Sequence, residues 1–332
     1  MSRTSGAALL FRDEEKEAFR ILMWRLARFS GVEIQTYCVM SNHFHLLVRI
    51  PRRESFLRQF ESDEPGGEGE LRLLEHLKLL YSKAYLARLV GEIRDLRSQG
   101  REREVQRTLD RYKERFCDLS LFVKELKERF SRWFNKRHAR KGTLWMGRFR
   151  SVIVESGACL RAVAAYIDLN PVRAGLVERP EDYRWCGYAE ALGGNRRMQR
   201  NLCRAIGWPM DQWSAGISRR QSGAAAYRCL LYRGGMEGVD QSAPGAKKLR
   251  AGISIESARE VIASGGALSL RELVACRVRW FTEGVALGSE KFVRRVQGTG
   301  ASPALLRSLP VDVGDGEPPW FNLSRLTKRG IG

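Results

Sequence analysis

The stretch Cys38-Val39-Met40-Ser41-Asn42-His43-Phe44-His45-Leu46-Leu47-Val48 decides how the chain is read. Its flanks are apolar and rich in strand formers, so it reads as a strand entered through a tight turn at Ser41-Asn42. Side chains two apart on a strand share a face. His43 and His45 therefore project together, with Phe44, Leu46 and Val48 on the core side. Two imidazoles side by side on one sheet face are half of a metal site. The other reading is a pair of polar residues on a solvated face. Only 4 histidines occur in 332 residues, and two of them stand here, which favours the metal.

Upstream, Asp13 caps a helix to about Phe29, with Phe19, Leu22, Leu26 and Phe29 as its stripe and Gly31 as its stop. Val32 to Val39 reads as a strand, so a helix leads into a β-hairpin that ends at Ile50-Pro51. Residues 52–69 are charged and then glycine-rich, which marks a loop. From 70 to about 115 the pattern is helical and highly charged. A further helix over 118–136 has the stripe Phe122, Leu126, Phe130 and Trp133 and a basic bias toward its end. After the basic turn at 137–142, Trp145 to Glu155 reads as strand, with Arg148 and Arg150 opposite Phe149. Ser156 caps a helix through Leu169, with Leu160, Val163, Ala164 and Ile167 inward, and Asn170-Pro171 closes it.

The run Gly193-Gly194-Asn195-Arg196-Arg197 marks a domain boundary. Beyond it, helical segments are expected near 198–206 and 223–232, a linker over 234–250, and a two-helix unit over 269–296 opened by the capping box Ser269-Leu270-Arg271-Glu272. That unit is a candidate helix-turn-helix with Lys291, Arg294 and Arg295 toward DNA, or an ordinary helical pair with exposed charges. The basic, Gly- and Pro-rich tail from 297 to 332 is expected to be disordered.

Lys+Arg 58 against Asp+Glu 38 gives a net charge of +20. A soluble surface does not need that excess, and a polyanion such as nucleic acid would use it. No apolar run approaches the roughly 18 residues of a membrane span, and no secretory signal opens the chain. The 7 cysteines are scattered without a CxxC pair, which argues for reduced thiols in the cytoplasm.

A metal needs more than two ligands, and a reaction needs a nucleophile. Tyr166 and Asn170, four apart, lie on one face of their helix. A phenol can attack phosphorus, and an amide oxygen is a hard ligand for Mg²⁺ or Mn²⁺. Taken singly, the tyrosine also reads as packing and the Asn before Pro as a turn residue.

Ser41-Asn42-His43-Phe44-His45-Leu46-Leu47-Val48 resembles the HUH motif (histidine, hydrophobic, histidine) of single-tyrosine transposases. The run from Tyr166-Ile167-Asp168-Leu169-Asn170-Pro171 to Val177 is similar to the tyrosine helix of the REP-associated tyrosine transposases. Phe134-Asn135-Lys136-Arg137, Gly142-Thr143-Leu144-Trp145 and Arg148-Phe149 resemble the segment between them. The likeness runs from about residue 3 to 192. It implies a ferredoxin-like antiparallel sheet with helices on one face; with the helical insertion at 52–117 and the mostly helical C-terminal region from 193 to 296 that the residue pattern gives, the expected fold class is α+β. It implies a divalent cation (Mg²⁺ or Mn²⁺) on His43 and His45, with Asn170 as third ligand where other branches have glutamine, and Tyr166 as nucleophile on single-stranded DNA. The family begins with a short strand just before the position of Ser2-Arg3-Thr4. This chain starts there, so that strand is expected to be missing.

A free phenol is about one part in a thousand ionised at neutral pH, so its attack on a phosphodiester must be assisted. A cation on a non-bridging oxygen would offset charge in the transition state. The expected product is a 5′-phosphotyrosine and a free 3′-hydroxyl, reversible by another strand. Arg137, Arg140, Lys141, Arg148 and Arg150 would hold a backbone or hairpin stem; Trp145 would stack a base, although core packing is the commoner job for any one tryptophan. The expected partner is a DNA hairpin or palindromic repeat, bound by a monomer or homodimer in the nucleoid. A metal-dependent amidohydrolase would need more histidines than His76 and His138 supply. The weightier rival is a catalytically inactive, transposase-derived DNA-binding protein that keeps the charge and has lost the chemistry.

Overall fold

The computed structural model describes residues 1–5, 10–62, 64–154, 157–213, 222–236, 238–239, 249–250, 252–266, 284–289, 306–311 and 320–325. Acidic residues open helix α1 (Asp13–Ser30): Asp13, Glu14 and Glu15 sit at the positive end of its dipole, and the Glu15 carboxylate accepts from the Arg12 N–H at 2.9 Å. The cap is thus Arg12, one residue before the Asp13 expected there. Gly31 ends the helix in the left-handed conformation, φ 72°, and a Cβ there would stand 2.7 Å from the Phe56 ring.

The first described element is a strand of 2 residues that the sequence reading did not place. β1 (Ser2–Arg3) pairs antiparallel with the histidine strand and sets Arg3 opposite His43. β2 (Glu33–Val39) and β3 (His43–Arg49) form the expected hairpin, with Cys38 opposite His45 and Val39 opposite Phe44. The sheet order is β1-β3-β2. Outside β1, the chain runs antiparallel from 144 to 150: Ser5 N–H donates to Leu144 O at 2.8 Å, Met146 N–H to Arg3 O at 2.9 Å and Arg150 N–H to Met1 O at 3.0 Å. The strand expected over 145–155 is reduced to this edge contact and a Thr4–Trp145 bridge, because β1 offers a template of only 2 residues.

α2 (Arg53–Leu57), α3 (Glu68–Leu77), α4 (Lys83–Ser98) and α5 (Glu102–Lys113) follow β3. The single helical run expected over 70–115 is broken by Ser82, which caps α4, and by Gly100 at φ 70°. α6 (Leu119–Arg137) starts at Asp118, whose carboxylate accepts from Leu121 N–H at 2.7 Å. Its buried stripe is Phe122, Leu126, Phe130 and Phe134; Phe134 takes the place expected of Trp133, which stays partly exposed. α1 and α6 pack together, and between them and the sheet Phe11, Phe19, Phe44, Phe130 and Trp145 interlock, with Phe19 and Phe44 centroids 4.7 Å apart. Each such ring contributes roughly 1.5–3 kcal/mol through burial.

α7 (Ala158–Asp168) and the one-turn α8 (Asn170–Arg173) come next; Ser156, the expected cap, lies outside the described residues. α7 packs on β2 and β3 from the side opposite α1. Helices therefore cover both faces of the sheet, not one as expected. The reason is β2, where every side chain from Ile34 to Val39 is buried, so neither face can be left to water. α9 (Gly187–Leu192) and α10 (Arg196–Ile206) also pack on β2. Asn195 caps α10, accepting from Arg197 and Met198 N–H at 3.1 and 3.2 Å. The core thus continues past the boundary expected at 193. α11 (Gly223–Gly235) packs on α7 and on α12 (Ile255–Ala263).

β4 (Gly238–Val239) pairs with β5 (Leu249–Arg250), within the expected linker. Of the two-helix unit expected at 269–296, only Gly284–Ser289 is described, and it is a strand, β6, where the break between helices was expected. Lys291, Arg294 and Arg295 lie outside the described residues. β7 (Leu306–Val311) and β8 (Trp320–Arg325) complete a sheet of order β6-β8-β7, so the tail expected to be disordered contains two strands. Among the described residues, no helix is long and apolar enough to cross a membrane.

Candidate active site

The alternation of β3 puts Phe44 into the aromatic core and turns His43 and His45 to the α7 face. Their ring centroids lie 5.1 Å apart. The Tyr166 ring, from α7, stands 5.9 Å from His45 and is 47% exposed, so the phenol is both beside the imidazoles and open to a ligand. Residues 121 positions apart in sequence are thereby brought together.

Burial is the main force on both imidazoles and pushes each down to about 4; Arg3 adds to it at His43, and His43 itself adds to it at His45. At neutral pH both are uncharged with lone pairs free for a metal. His43 Nδ1 lies 2.6 Å from Asn42 Oδ1, so the neutral ring carries its proton on Nδ1 and offers Nε2.

Asn170 begins α8 one turn beyond Tyr166. Its amide nitrogen donates to the Tyr166 carbonyl at 2.8 Å and to the Ile167 carbonyl at 3.3 Å, so only its Oδ1 could meet a metal. Among the described residues, no group of three His, Cys, Asp or Glu could hold a metal ion. A cation held by the three residues expected to bind it would meet two imidazoles and an amide oxygen, all neutral. Such a set suits a divalent cation of the Mg²⁺ or Mn²⁺ type together with an anionic ligand, because among the described residues no carboxylate joins the histidine pair to balance the charge.

The sequence reading missed two cations of this site. Arg3, exposed, faces His43 across the β1–β3 pair. Arg173 holds its guanidinium carbon 5.0 Å over the Tyr166 ring centroid. The signal for Arg173 was its spacing of seven from Tyr166, two helical turns on one face. No such signal existed for Arg3, which stands on a strand of only 2 residues.

Asp168 was also passed over. It is fully buried two residues after the phenol and ties α7 to three other parts of the core. The Thr36 hydroxyl lies 3.0 and 2.9 Å from its two oxygens, Tyr227 O–H donates at 2.5 Å and Tyr188 N–H at 3.2 Å. Burial raises its pKa to about 6, against these hydrogen bonds, which pull the other way. Gly187 closes on the same point, where a Cβ would come within 2.1 Å of Thr36 Oγ1.

The basic residues expected on DNA divide. Lys141, Arg148 and Arg150 are exposed on the turn and edge segment. Arg137 pairs with Glu14, and Arg140 donates to the Thr143 carbonyl at 3.2 Å. Of the two readings of Trp145, base stacking and core packing, its contacts favour core packing. Its ring packs against Phe11 and Phe44 and its N–H donates to Lys127 O at 3.1 Å, so its faces serve the core. His76 packs on Phe29 and bonds the Phe29 carbonyl at 2.7 Å, and His138 pairs with Glu15 at 3.1 Å, so neither joins the histidine pair.

No family model matches the chain, and no curated protein or solved structure matches it.

Proposed function

We propose that the chain is a metal-dependent single-tyrosine DNA strand transferase of the HUH type, acting on single-stranded DNA of hairpin or palindromic form. The observation that carries this reading is the Tyr166 ring 5.9 Å from His45, itself 5.1 Å from His43. The layout of the sheet supports it: 144–150, β1, β3, β2 in space, with α1 and α6 as connections, agrees with a ferredoxin-like core whose fourth strand is frayed.

The Tyr166 oxygen attacks the scissile phosphorus. The new bond is Tyr O–P, the broken bond is P–O3′, the phenol loses its proton and the leaving 3′ oxygen gains one. The strand is left as a 5′-phosphotyrosine, and the 3′-hydroxyl of another strand reverses the step without nucleotide hydrolysis. A divalent cation held by His43, His45 and Asn170 would supply charge stabilisation at a non-bridging phosphate oxygen. Arg3 and Arg173 add fixed positive charge beside the phosphate and the phenol. Uncharged histidines, with no carboxylate grouped with them among the described residues, suit a site whose anion is the substrate.

The test is incubation with Mg²⁺ or Mn²⁺ and labelled single-stranded hairpins from the flanks of the gene, read as a covalent protein–DNA band on a denaturing gel. The band is expected to need metal and to vanish in Tyr166→Phe. DNA retarded on a native gel but never linked would instead mark a DNA-binding protein of transposase ancestry.

A further inference from the structure

The helical insertion carries a second feature that the strand-transfer site does not use. α4 and α5 enclose a groove of about 330 Å³ lined by Tyr85, Arg88, Glu92, Arg111, Tyr112 and Arg115, with Leu89 and Thr108 beneath. Between 52 and 117 the chain has fifteen basic and thirteen acidic residues. The insertion is thus nearly neutral, and three guanidiniums against one carboxylate in the groove are a local concentration, not a general basic coat.

The three arginines are not equivalent. Arg115 is held by a two-oxygen contact to Glu125 at 2.6 and 2.5 Å and lies over the Phe29 ring at 4.5 Å. Arg88 and Arg111 are exposed and make no ion pair among the described residues. Arg88 rests on the Tyr85 ring, 5.4 Å from its centroid, and the Tyr85 and Tyr112 hydroxyls bond at 2.8 Å across the groove floor. Tyr85 in turn stacks on Tyr81 at 4.6 Å. Two guanidinium forks above a floor of tyrosine hydroxyls match the oxygens of a phosphate.

We propose that this groove is a second nucleic-acid contact, in which Arg88 and Arg111 take backbone phosphates of the same DNA. The inference rests on DNA being the partner, not on cleavage. The groove adjoins the end of α1, where Arg115 covers Phe29, whereas the start of α1 adjoins the histidine turn through Phe11 N–H to Ser41 O at 2.8 Å. The 18 residues of α1 span about 27 Å, so the groove and the histidine turn, at its two ends, lie apart on that scale. A duplex stem must therefore exceed roughly 8 base pairs, at about 3.4 Å each, to reach both.

The experiment measures fluorescence anisotropy of hairpins with 5- and 15-base-pair stems, without metal, in the Tyr166→Phe background of the full chain. Arg88→Ala/Arg111→Ala is compared with its parent and with Arg88→Lys/Arg111→Lys, between 50 and 200 mM salt. Each phosphate contact contributes about 0.9 to the salt slope, so the alanine pair should lower the slope by about 1.8 on the long stem, and the loss of affinity across that salt range should become about tenfold smaller. The short stem should not change, and the lysine pair should keep the parental slope. An unchanged slope on the long stem, with circular dichroism intact, overturns the groove and leaves strand transfer standing. Failure of the parent to bind either hairpin overturns both readings. Calorimetric binding of inorganic phosphate that the alanine pair abolishes, with DNA binding unaltered, would assign the groove to a free anion and also overturn the proposal.

Discussion

Asp168→Asn tests how α7, the helix that carries Tyr166, is anchored. The Asp168 carboxyl is taken from an ordinary value of 3.8 to about 6 by burial, in spite of the Thr36, Tyr227 and Tyr188 donors. A raised carboxyl binds its proton more tightly in the folded chain than in the unfolded one. Its ionisation therefore costs stability above pH 6, and the cost fades as pH falls from 6 toward 3.8. The shift corresponds to about 3 kcal/mol over the whole window, of which about 2 kcal/mol falls between pH 4.5 and 7.5. Urea unfolding of wild type and Asp168→Asn at those two values isolates the term, because every other titration is common to both. Wild type should gain about 2 kcal/mol on the variant at pH 4.5 relative to pH 7.5. Tyr227→Phe removes the 2.5 Å donor that steadies the ionised form, so its penalty should be larger at pH 7.5 than at 4.5. A wild-type-to-Asn gap that stays constant, or widens at high pH, would refute the assignment of a raised carboxyl at the root of α7.

Gly187→Ala places a methyl 2.1 Å from Thr36 Oγ1 and should destabilise by roughly 1–3 kcal/mol, read as a lower urea midpoint; an unchanged midpoint would mean the contact relaxes freely. Phe44→Ala removes a ring buried to 1% between α1 and the histidine strand and should cost about 3–5 kcal/mol. A loss below about 1 kcal/mol would show that this face is loosely packed. Manganese binding should change by less than about threefold between pH 7.5 and 5.5, because both imidazoles titrate near 4; two ordinary histidines would lose about a hundredfold, and a loss of that size would show that the pair is protonated. His45→Ala should abolish that binding while leaving the thermal midpoint within a few degrees, since His45 is on the ligand face and not in the core.

Local pattern determined the parts of this protein that depend on spacing alone. The alternation through His43-Phe44-His45 is a property of any strand, so the shared face of the histidines follows from their numbers. The four-residue spacing of Tyr166 and Asn170, and the amphipathic runs of α1 and α6, follow from helical period in the same way. Tertiary structure decided what meets what. That α7 lies on the histidine face, with helices on both sides of the sheet, depends on β2 being buried throughout, which no single strand pattern announces. Arg3 joins the site only because a two-residue strand finds β3 as its partner, and a pairing that short has no signature of its own. Core packing of Trp145, one of its two readings, was decided in the same way: the rings of Phe11, Phe19, Phe44 and Phe130 converge on it, and convergence across more than 130 residues is not written in local composition. Asp168 shows the limit most plainly. Its neighbours in sequence are apolar, whereas its hydrogen-bond donors come from residues 36, 188 and 227, so only the folded chain could reveal a buried carboxyl beneath the tyrosine.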